Sequence, residues 1–451
     1  MKFIKTKKTT KEQNEIKKSK QIIKKEKEKI RQERQKIKKL KHQRIANSKL
    51  FKKIFKFNDN RTYNSIKSQI FNLLYYEFLG VILCLLVLFI LSGGKNYLKL
   101  YYELNKFIDI YDTLTSNYYG KIDKQELIDT AISSMVANIN DGFTSYSDEE
   151  GTEEFEETVN GIYEGIGSTV STDKEGKITI IEVFDDSPAQ RAGLKEGDII
   201  KKIDDKDFSK KTSEDMANYI KSSKNSKIKL TILREEQEQE ITLKREKIRI
   251  PTVSSKIIEN DNKKIGYINI SIFSTITTNQ FVKQLKKLEK EKIKALIIDV
   301  RDNNGGYLKT ATEISNMFLK KGQIVYQLSD KSGTIKEKDR TKEHREYPVA
   351  ILTNKNSASA SEILAAAIKE SYNGHVVGTR TFGKGTVQKT KKLNDGTMVK
   401  FTVQKWLTPK GTWINNKGLE PTDKVETTDN NDTDKDNQLD SAVDILIRDL
   451  K

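Results

Sequence analysis

From Lys264 onward, short apolar runs alternate with amphipathic ones, and this alternation restricts the fold more than any other feature of the chain. KIGYINI precedes the helical pattern TTNQFVKQLKKLEKE, and ALIIDV precedes LKTATEISNMFLKK. VAILTN then precedes SASEILAAAIKE, and HVVGT follows. Strands separated by helices return in the same direction, which predicts an α/β domain with a largely parallel sheet. Sites in such sheets open where strands end and helices begin.

The chain upstream is built differently. Residues 160–248 hold short β-rich runs, KITIIEVF, DIIKKIDD, KIKLTILR and QEITLKR, with a helix-like stretch at residues 212–221. Between residues 96 and 158, apolar side chains recur at helical spacing, as in Ile108, Tyr111 and Leu114, and then Leu127, Ala131, Ile132 and Met135. Two or more amphipathic helices are expected there.

A net charge of +18 first suggests a nucleic-acid partner, but its distribution removes that reading. Residues 1–70 carry 25 Lys and Arg against six Asp and Glu, while the other 381 residues are nearly neutral. The surplus therefore belongs to an N-terminal arm, and the body has no footprint for a phosphate backbone. In the arm, Ile16, Ile23, Ile30 and Ile37 repeat every seven residues, but Ser19, Glu26 and Glu33 occupy the positions that would complete a coiled-coil seam. A basic helix on an anionic membrane face, a weak self-association segment and a disordered arm all remain open.

Residues 78–91 (FLGVILCLLVLFIL) are uninterruptedly apolar, and with their flanks they reach the length needed for a hydrocarbon core of about 30 Å. Tyr75 and Tyr76 before the run, with Tyr97, Tyr101 and Tyr102 after it, resemble an aromatic belt. Basic residues before the span place the N-terminus in the cytoplasm and everything after residue 95 outside. A cleaved leader is the competing reading, but 70 residues is too long for one and no A-x-A site follows. The lone cysteine, Cys84, lies inside this run, so neither an internal disulfide nor a cysteine metal site is available. Only His42, His344 and His375 could supply imidazole, too few for a zinc cluster, and no metal or cofactor is expected.

Chemistry concentrates in three segments. The strand VAILTN leads into Ser357-Ala358-Ser359-Ala360-Ser361-Glu362 and a helical run. A serine there is exposed at a sheet edge beside a helix N-terminus, yet Ser359-x-x-Glu362 is equally a capping box. Thr381-Phe382-Gly383-Lys384-Gly385-Thr386-Val387-Gln388 sets a lysine between two glycines after a strand, with Gln388 placed to bond its amine. A lysine acts as a base only when neutral, so it must be desolvated or near positive charge. The GKGT stretch lacks the G-x-x-x-x-G-K-[ST] pattern of a phosphate loop. LIIDVRDNNGGYL delivers Asn303-Asn304-Gly305-Gly306 at a strand end, either as a plain turn or with backbone N–H groups aimed at an oxyanion.

Together, SASASE, TFGKGTVQ and the upstream glycine turn resemble the C-terminal processing peptidases, or tail-specific proteases. In that family the middle serine of SASAS is the nucleophile and the lysine of FGKG, 25 positions on, is the base. The resemblance implies Ser359 as nucleophile, Lys384 as base, Gln388 as the residue that orients it, and an oxyanion hole from Ala360 with Gly305 or Gly306. Trp406–Gly411, Lys417–Pro421 and Asp436–Leu439 resemble the family's closing strand, loop and C-terminal helix. Glu164-Gly165-Ile166-Gly167 and SPAQRAGLKEGD resemble a PDZ domain, in which Gly165, Ile166 and Gly167 would hold a peptide carboxylate and Arg191 would read substrate charge. One departure stands out: the family's Asp-Pro-His-Thr/Ser turn reads Asp141-Gly142-Phe143-Thr144 here, and the sequence places it outside the dyad.

The expected organisation is a basic cytoplasmic arm at 1–69, a transmembrane anchor at 70–94 and a helical region at 95–158. An inserted PDZ domain at 159–248 follows, then a protease core at 249–425 and a C-terminal linker and helix at 426–451. The expected activity is membrane-anchored endopeptidase, with protein or peptide substrates that offer accessible C-terminal segments. The alternative is a catalytically inactive membrane-tethered PDZ scaffold. Nucleic acid is not an expected partner, and the oligomeric state stays open.

Overall fold

The computed structural model describes residues 28–29, 31–38, 60–91, 94–223, 225–427 and 436–451. Most of the basic arm, including Ile16, Ile23 and Ile30, lies outside the described residues, as do residues 428–435 and the side chain of Tyr97; residues 31–38 are helical. The chain divides into two compact units, Met1–Ile122 and Asp123–Lys451.

The first unit contains helices α1 (Asn60–Leu91) and α2 (Gly94–Asn117). Helix α1 begins ten residues before the expected span. Residues Ser68–Val87 make it the one helix, among the described residues, that is long and apolar enough to cross a membrane. Leu83, Leu85 and Ile90 are exposed along it, and Cys84 is exposed too. Twenty residues at about 1.5 Å each match a hydrocarbon core.

The second unit opens with α3 (Lys124–Ala137), capped by the Asp123 carboxylate, which accepts from Gln125 and Glu126 N–H. Strand β1 (Ser145–Ser147) and helix α4 (Glu149–Asn160) follow. Gly161, at φ +68°, ends α4, and a side chain there would collide with Ser274.

The region whose motifs resemble a PDZ domain comprises β2 (Ile162–Gly165), β3 (Ser168–Thr172), β4 (Ile178–Val183), the short α5 (Pro188–Arg191), β5 (Ile199–Ile203), β6 (Lys206–Asp207), α6 (Ser213–Ser222), β7 (Lys227–Arg234), β8 (Gln237–Lys244) and β9 (Glu246–Arg249). Its main sheet runs β3-β4-β5-β7-β8, antiparallel throughout, while β2 pairs with β9. Ile228, Leu230 and Ile232 alternate into one core with Ile178, Ile180 and Met216 from α6. The Gly-Asp of SPAQRAGLKEGD is structural here: buried Asp198 forms a two-point pair with Arg234, both contacts at 2.6 Å.

The core comprises β10 (Val253–Asn260), β11 (Lys263–Ile270), α7 (Thr277–Lys290), β12 (Ala295–Asp299), α8 (Leu308–Asn316), β13 (Ile324–Asp330), β14 (Gly333–Lys338), β15 (Val349–Thr353), α9 (Ala360–Ala367), β16 (His375–Gly378), β17 (Thr386–Lys392), β18 (Met398–Leu407), β19 (Asp423–Lys424) and α10 (Asn437–Asp449). A π-helical turn, Ile368–Tyr372, extends α9. The main sheet runs β10-β11-β12-β15-β16-β19, parallel except at β10, as the strand–helix alternation predicts. Its central strands are buried on both faces. Leu296, Ile298 and Ile351 meet Phe281, Ile314 and Ile363 on one side; Ile297, Ala350 and Leu352 meet Ala442 and Leu446 of α10 on the other. Arg301 locks α10 to the end of β12 by bonding both Asp299 and Asp436.

A second sheet is a departure from the sequence reading. Strands β1, β18, β13 and β14 form an antiparallel layer, with β17 on β18. It carries the segment expected to be purely helical (through β1) into the same layer as the lysine strand.

Candidate active site

Strands β12 and β15 are neighbours, and the segments leaving their C-terminal ends interlock. Ser357 Oγ donates to Val300 O at 2.7 Å, Ser361 Oγ to Asn303 O at 2.8 Å, and Ala358 N–H to the same Asn303 O at 3.0 Å. Ser357 and Ser361 are fully buried by these bonds, and Ser359 alone of the three is partly exposed. Its backbone sits at φ +54°, ψ −111°, a conformation that costs a non-glycine residue about 1–3 kcal/mol.

Glu362 resolves the ambiguity of the capping box. Its side chain is buried and accepts the Ser359 N–H at 2.8 Å, as a cap should. The same carboxylate also takes the N–H of Lys384 at 2.9 Å, the N–H of Gly383 at 2.7 Å and the hydroxyl of Thr381 at 2.5 Å. One side chain thus joins the serine loop to the lysine loop. Burial holds the Glu362 carboxyl above the usual carboxylate range, and the four donors offset this only in part.

The glycines around Lys384 are held by close backbone approach. Gly383 has φ +90°, and a Cβ there would lie 2.7 Å from Gly418 N; one on Gly385 would lie 2.7 Å from Asn415 N. Trp406 Nε1 of β18 donates to Lys384 O at 2.7 Å and Trp413 Nε1, in the loop after that strand, to Gly385 O at 2.9 Å.

The Lys384 amine is half-buried. Desolvation, then the positive charge of Lys400, holds it below the ordinary lysine range, against the opposing pull of Asp141 and Glu362. Among the described residues its close contact is the Phe143 ring, 4.6 Å from the centroid, and not a hydrogen bond to Ser359. The turn at residues 141–144 is therefore at the lysine, which corrects its placement from sequence. Gln388 donates its amide to Thr386 at 2.9 Å and to Thr402 at 3.1 Å.

The glycine turn faces the serine. A Cβ on Gly305 would lie 2.6 Å from Ala358 O, 2.8 Å from Ser359 Cβ and 2.9 Å from Ala360 N. Gly305 gives its own N–H to Asn303 Oδ1 at 2.8 Å, so of the two glycines Gly306 is the one whose N–H makes no hydrogen bond among the described residues. His375 stands at the opposite end of the sheet. It begins β16 beside Ala350 and bonds Asp423 and Asp449, which leaves it no part in this site.

The chain that carries this constellation has known relatives. Residues 264–425 match the model of Peptidase family S41. The chain is also 38% identical over 329 residues to the carboxy-terminal processing protease CtpB of Bacillus subtilis (strain 168), covering 72% of this chain and 68% of that protein. The chain belongs to peptidase family S41. It is a serine-type carboxy-terminal processing peptidase, and residues 165–244 match a PDZ domain. Residues 92–151 match the N-terminal domain model of the activating protease CtpB. CtpA of the same bacterium is 37% identical, over 72% of this chain and 70% of its own. A solved photosystem II D1 C-terminal processing protease aligns at a TM-score of 0.43 and 24% identity, over 71% of this chain and 86% of that one.

In this S41 peptidase the PDZ motif borders a groove. Gly165 and Ile166 line a cavity of about 200 Å³ between β3 and α6, with Val170, Met216 and Ile220. Gly167 has φ +82°, and Ser187 leaves no room for a side chain on it. Lys221 closes one end by pairing with Glu157 of α4 at 3.1 Å. Arg191 is turned elsewhere, bonding Asp186 O and the Glu246 carboxylate. The sequence reading missed three contributors: Glu362 as a joint between loops, Lys400 as the neighbouring charge, and Phe143 beneath the amine.

Proposed function

We propose that this S41 peptidase is an endopeptidase anchored in a membrane by α1, with the PDZ groove receiving a C-terminal or exposed peptide segment and Ser359 and Lys384 cutting the chain. The observation that carries this reading is the shared Glu362 carboxylate. It fixes the only partly exposed serine of the SASAS segment and a lysine whose amine is held below its ordinary range. Neutral Lys384 accepts the proton of Ser359 Oγ while that oxygen attacks the scissile carbonyl. The N–H groups of Ala360 and Gly306 stabilise the tetrahedral oxyanion. The leaving amine takes the proton back from Lys384, and water hydrolyses the acyl-enzyme by the same base. Gln388, with its NH2 committed to Thr386 and Thr402, keeps its carbonyl oxygen as an acceptor that orients the amine. The arm places its positive charge on the cytoplasmic side and the protease outside.

The test is capture of the intermediate. A peptide ester turned over by the full chain in detergent and quenched in acid is expected to leave its acyl group on Ser359, read by mass on the proteolytic fragment. An acyl group on any other side chain would move the nucleophile and overturn the assignment. A second measurement addresses the oxyanion contacts. Gly305→Ala is expected to lower kcat by about 10²–10³-fold, because its Cβ intrudes on Ala360 N and Ser359. Wild-type kcat in that variant would show that the glycine turn lies outside the reacting geometry.

A further inference from the structure

The turn at residues 141–144 is held by hydrogen bonds within it and to β18. The Asp141 carboxylate accepts the Phe143 N–H at 3.2 Å and the Thr144 hydroxyl at 2.6 Å, which closes an Asx turn. Thr144 Oγ1 in turn accepts the Thr402 N–H of β18 at 3.2 Å, and β1, immediately after the turn, pairs with β18 at Ser145↔Lys400. Thr402 is also where Gln388 donates, so the turn is pinned to the strand beside the lysine.

Packing does not account for the ring that this turn presents. Phe143 is half-exposed and belongs to none of the three apolar cores. The Lys384 amine lies over it, 4.6 Å from the ring centroid. An aromatic face carries partial negative charge, so it attracts an ammonium and gives it a fixed seat.

We propose that Asp141 and Phe143 are positioning residues for Lys384: the Phe143 ring seats the amine, and Asp141 fixes the ring and supplies a counter-charge. This rests on Lys384 being the base. The charged groups that face the amine are Lys400 from β18, Asp141 from the turn and Glu362 from α9. Lys400 disfavours the ammonium, whereas Asp141, Glu362 and the ring favour it. Desolvation opposes the charge from all sides. The seat therefore keeps the lysine in place between turnovers, at the cost of a pKa somewhat higher than burial alone would set.

The test uses the full chain in detergent and two readouts. Competitive acetylation of Lys384 across pH, followed by mass spectrometry, reports the amine's titration without needing activity. The pH profile of cleavage of an unstructured peptide reports kcat and KM. Phe143→Leu keeps the apolar cover but removes the ring's charge attraction. Its acetylation midpoint and the acid limb of kcat/KM are expected to move to lower pH by about half a unit. Its plateau kcat is expected to fall about tenfold or more, with KM unchanged, because the amine loses its seat. Phe143→Tyr should restore both. Asp141→Asn removes the counter-charge and replaces one of the two acceptor oxygens that close the turn with an NH2, so its midpoint is expected to move down and its plateau kcat to fall with that of Phe143→Leu.

A thermal midpoint on each variant separates these effects from misfolding. Wild-type acetylation and plateau in Phe143→Leu would overturn the proposal, as would a Phe143→Tyr variant as impaired as Phe143→Leu. Full cleavage by Lys384→Ala would instead remove the base assignment, and the acetylation result would still stand on its own.

Discussion

Lys384→Ala is expected to lower kcat/KM by about 10²–10⁴-fold on an unstructured peptide, the contribution of a positioned general base. Ser359→Ala should lose at least as much. Residues that act as one unit are not additive, so the double variant should be no slower than Ser359→Ala alone. A double variant slower by the product of the two single effects would mean that the residues act separately. The pH dependence carries the same logic. A base works only as the neutral amine, so kcat/KM rises as pH rises through the lysine's pKa. Desolvation and then Lys400 hold that pKa below the ordinary lysine range. Lys400→Gln removes the second cause, the pKa climbs, and the acid limb of kcat/KM must move to higher pH. A limb that stays in place or moves to lower pH would sink the electrostatic account of the base.

Glu362→Gln should cripple the enzyme without touching substrate. The native carboxylate receives four donors, from Ser359, Thr381, Gly383 and Lys384. An amide replaces one acceptor oxygen with an NH2, which would face N–H groups at a buried position. Each buried donor left unpaired costs about 1–3 kcal/mol, and these losses overlap, so a destabilisation of roughly 2–5 kcal/mol is expected. The two tryptophans, Trp406 and Trp413, donate to the carbonyls of Lys384 and Gly385, so their fluorescence reads this loop directly. Denaturant titration followed by tryptophan emission should show the variant's midpoint well below that of the wild type. Coincident midpoints would mean that the joint is ornamental.

The parallel sheet was legible because strands covered on both faces leave unbroken apolar runs; ALIID and VAILT are buried at every position. The serine and lysine were legible as a pair only through their neighbours, since each alone reads as a cap or a turn. The antiparallel layer was not legible. TVQKTKK and MVKFTVQKWL interleave lysines with apolar residues, and much of β17 is exposed, so neither carries a core signature. Glu362 looked like a local cap because three of its four donors come from the lysine loop. The contact between Phe143 and Lys384 is likewise made across the fold, by pairing of β1 with β18, and no local pattern announces it.

Two machined parts keep their spacing best when both are located from one reference face and not from opposite ends of a frame. Glu362 is such a face. The serine loop leaves β15 and the lysine loop follows β16, so the two arise from different strands. Because both loops are registered on one carboxylate, a shift of α9 carries the backbones of Ser359 and Lys384 together. Such motion is common-mode, and the gap between the two backbones does not accumulate the errors of the strands behind them. The pair can therefore ride on a loop-built site and still hold the tolerance that proton transfer demands.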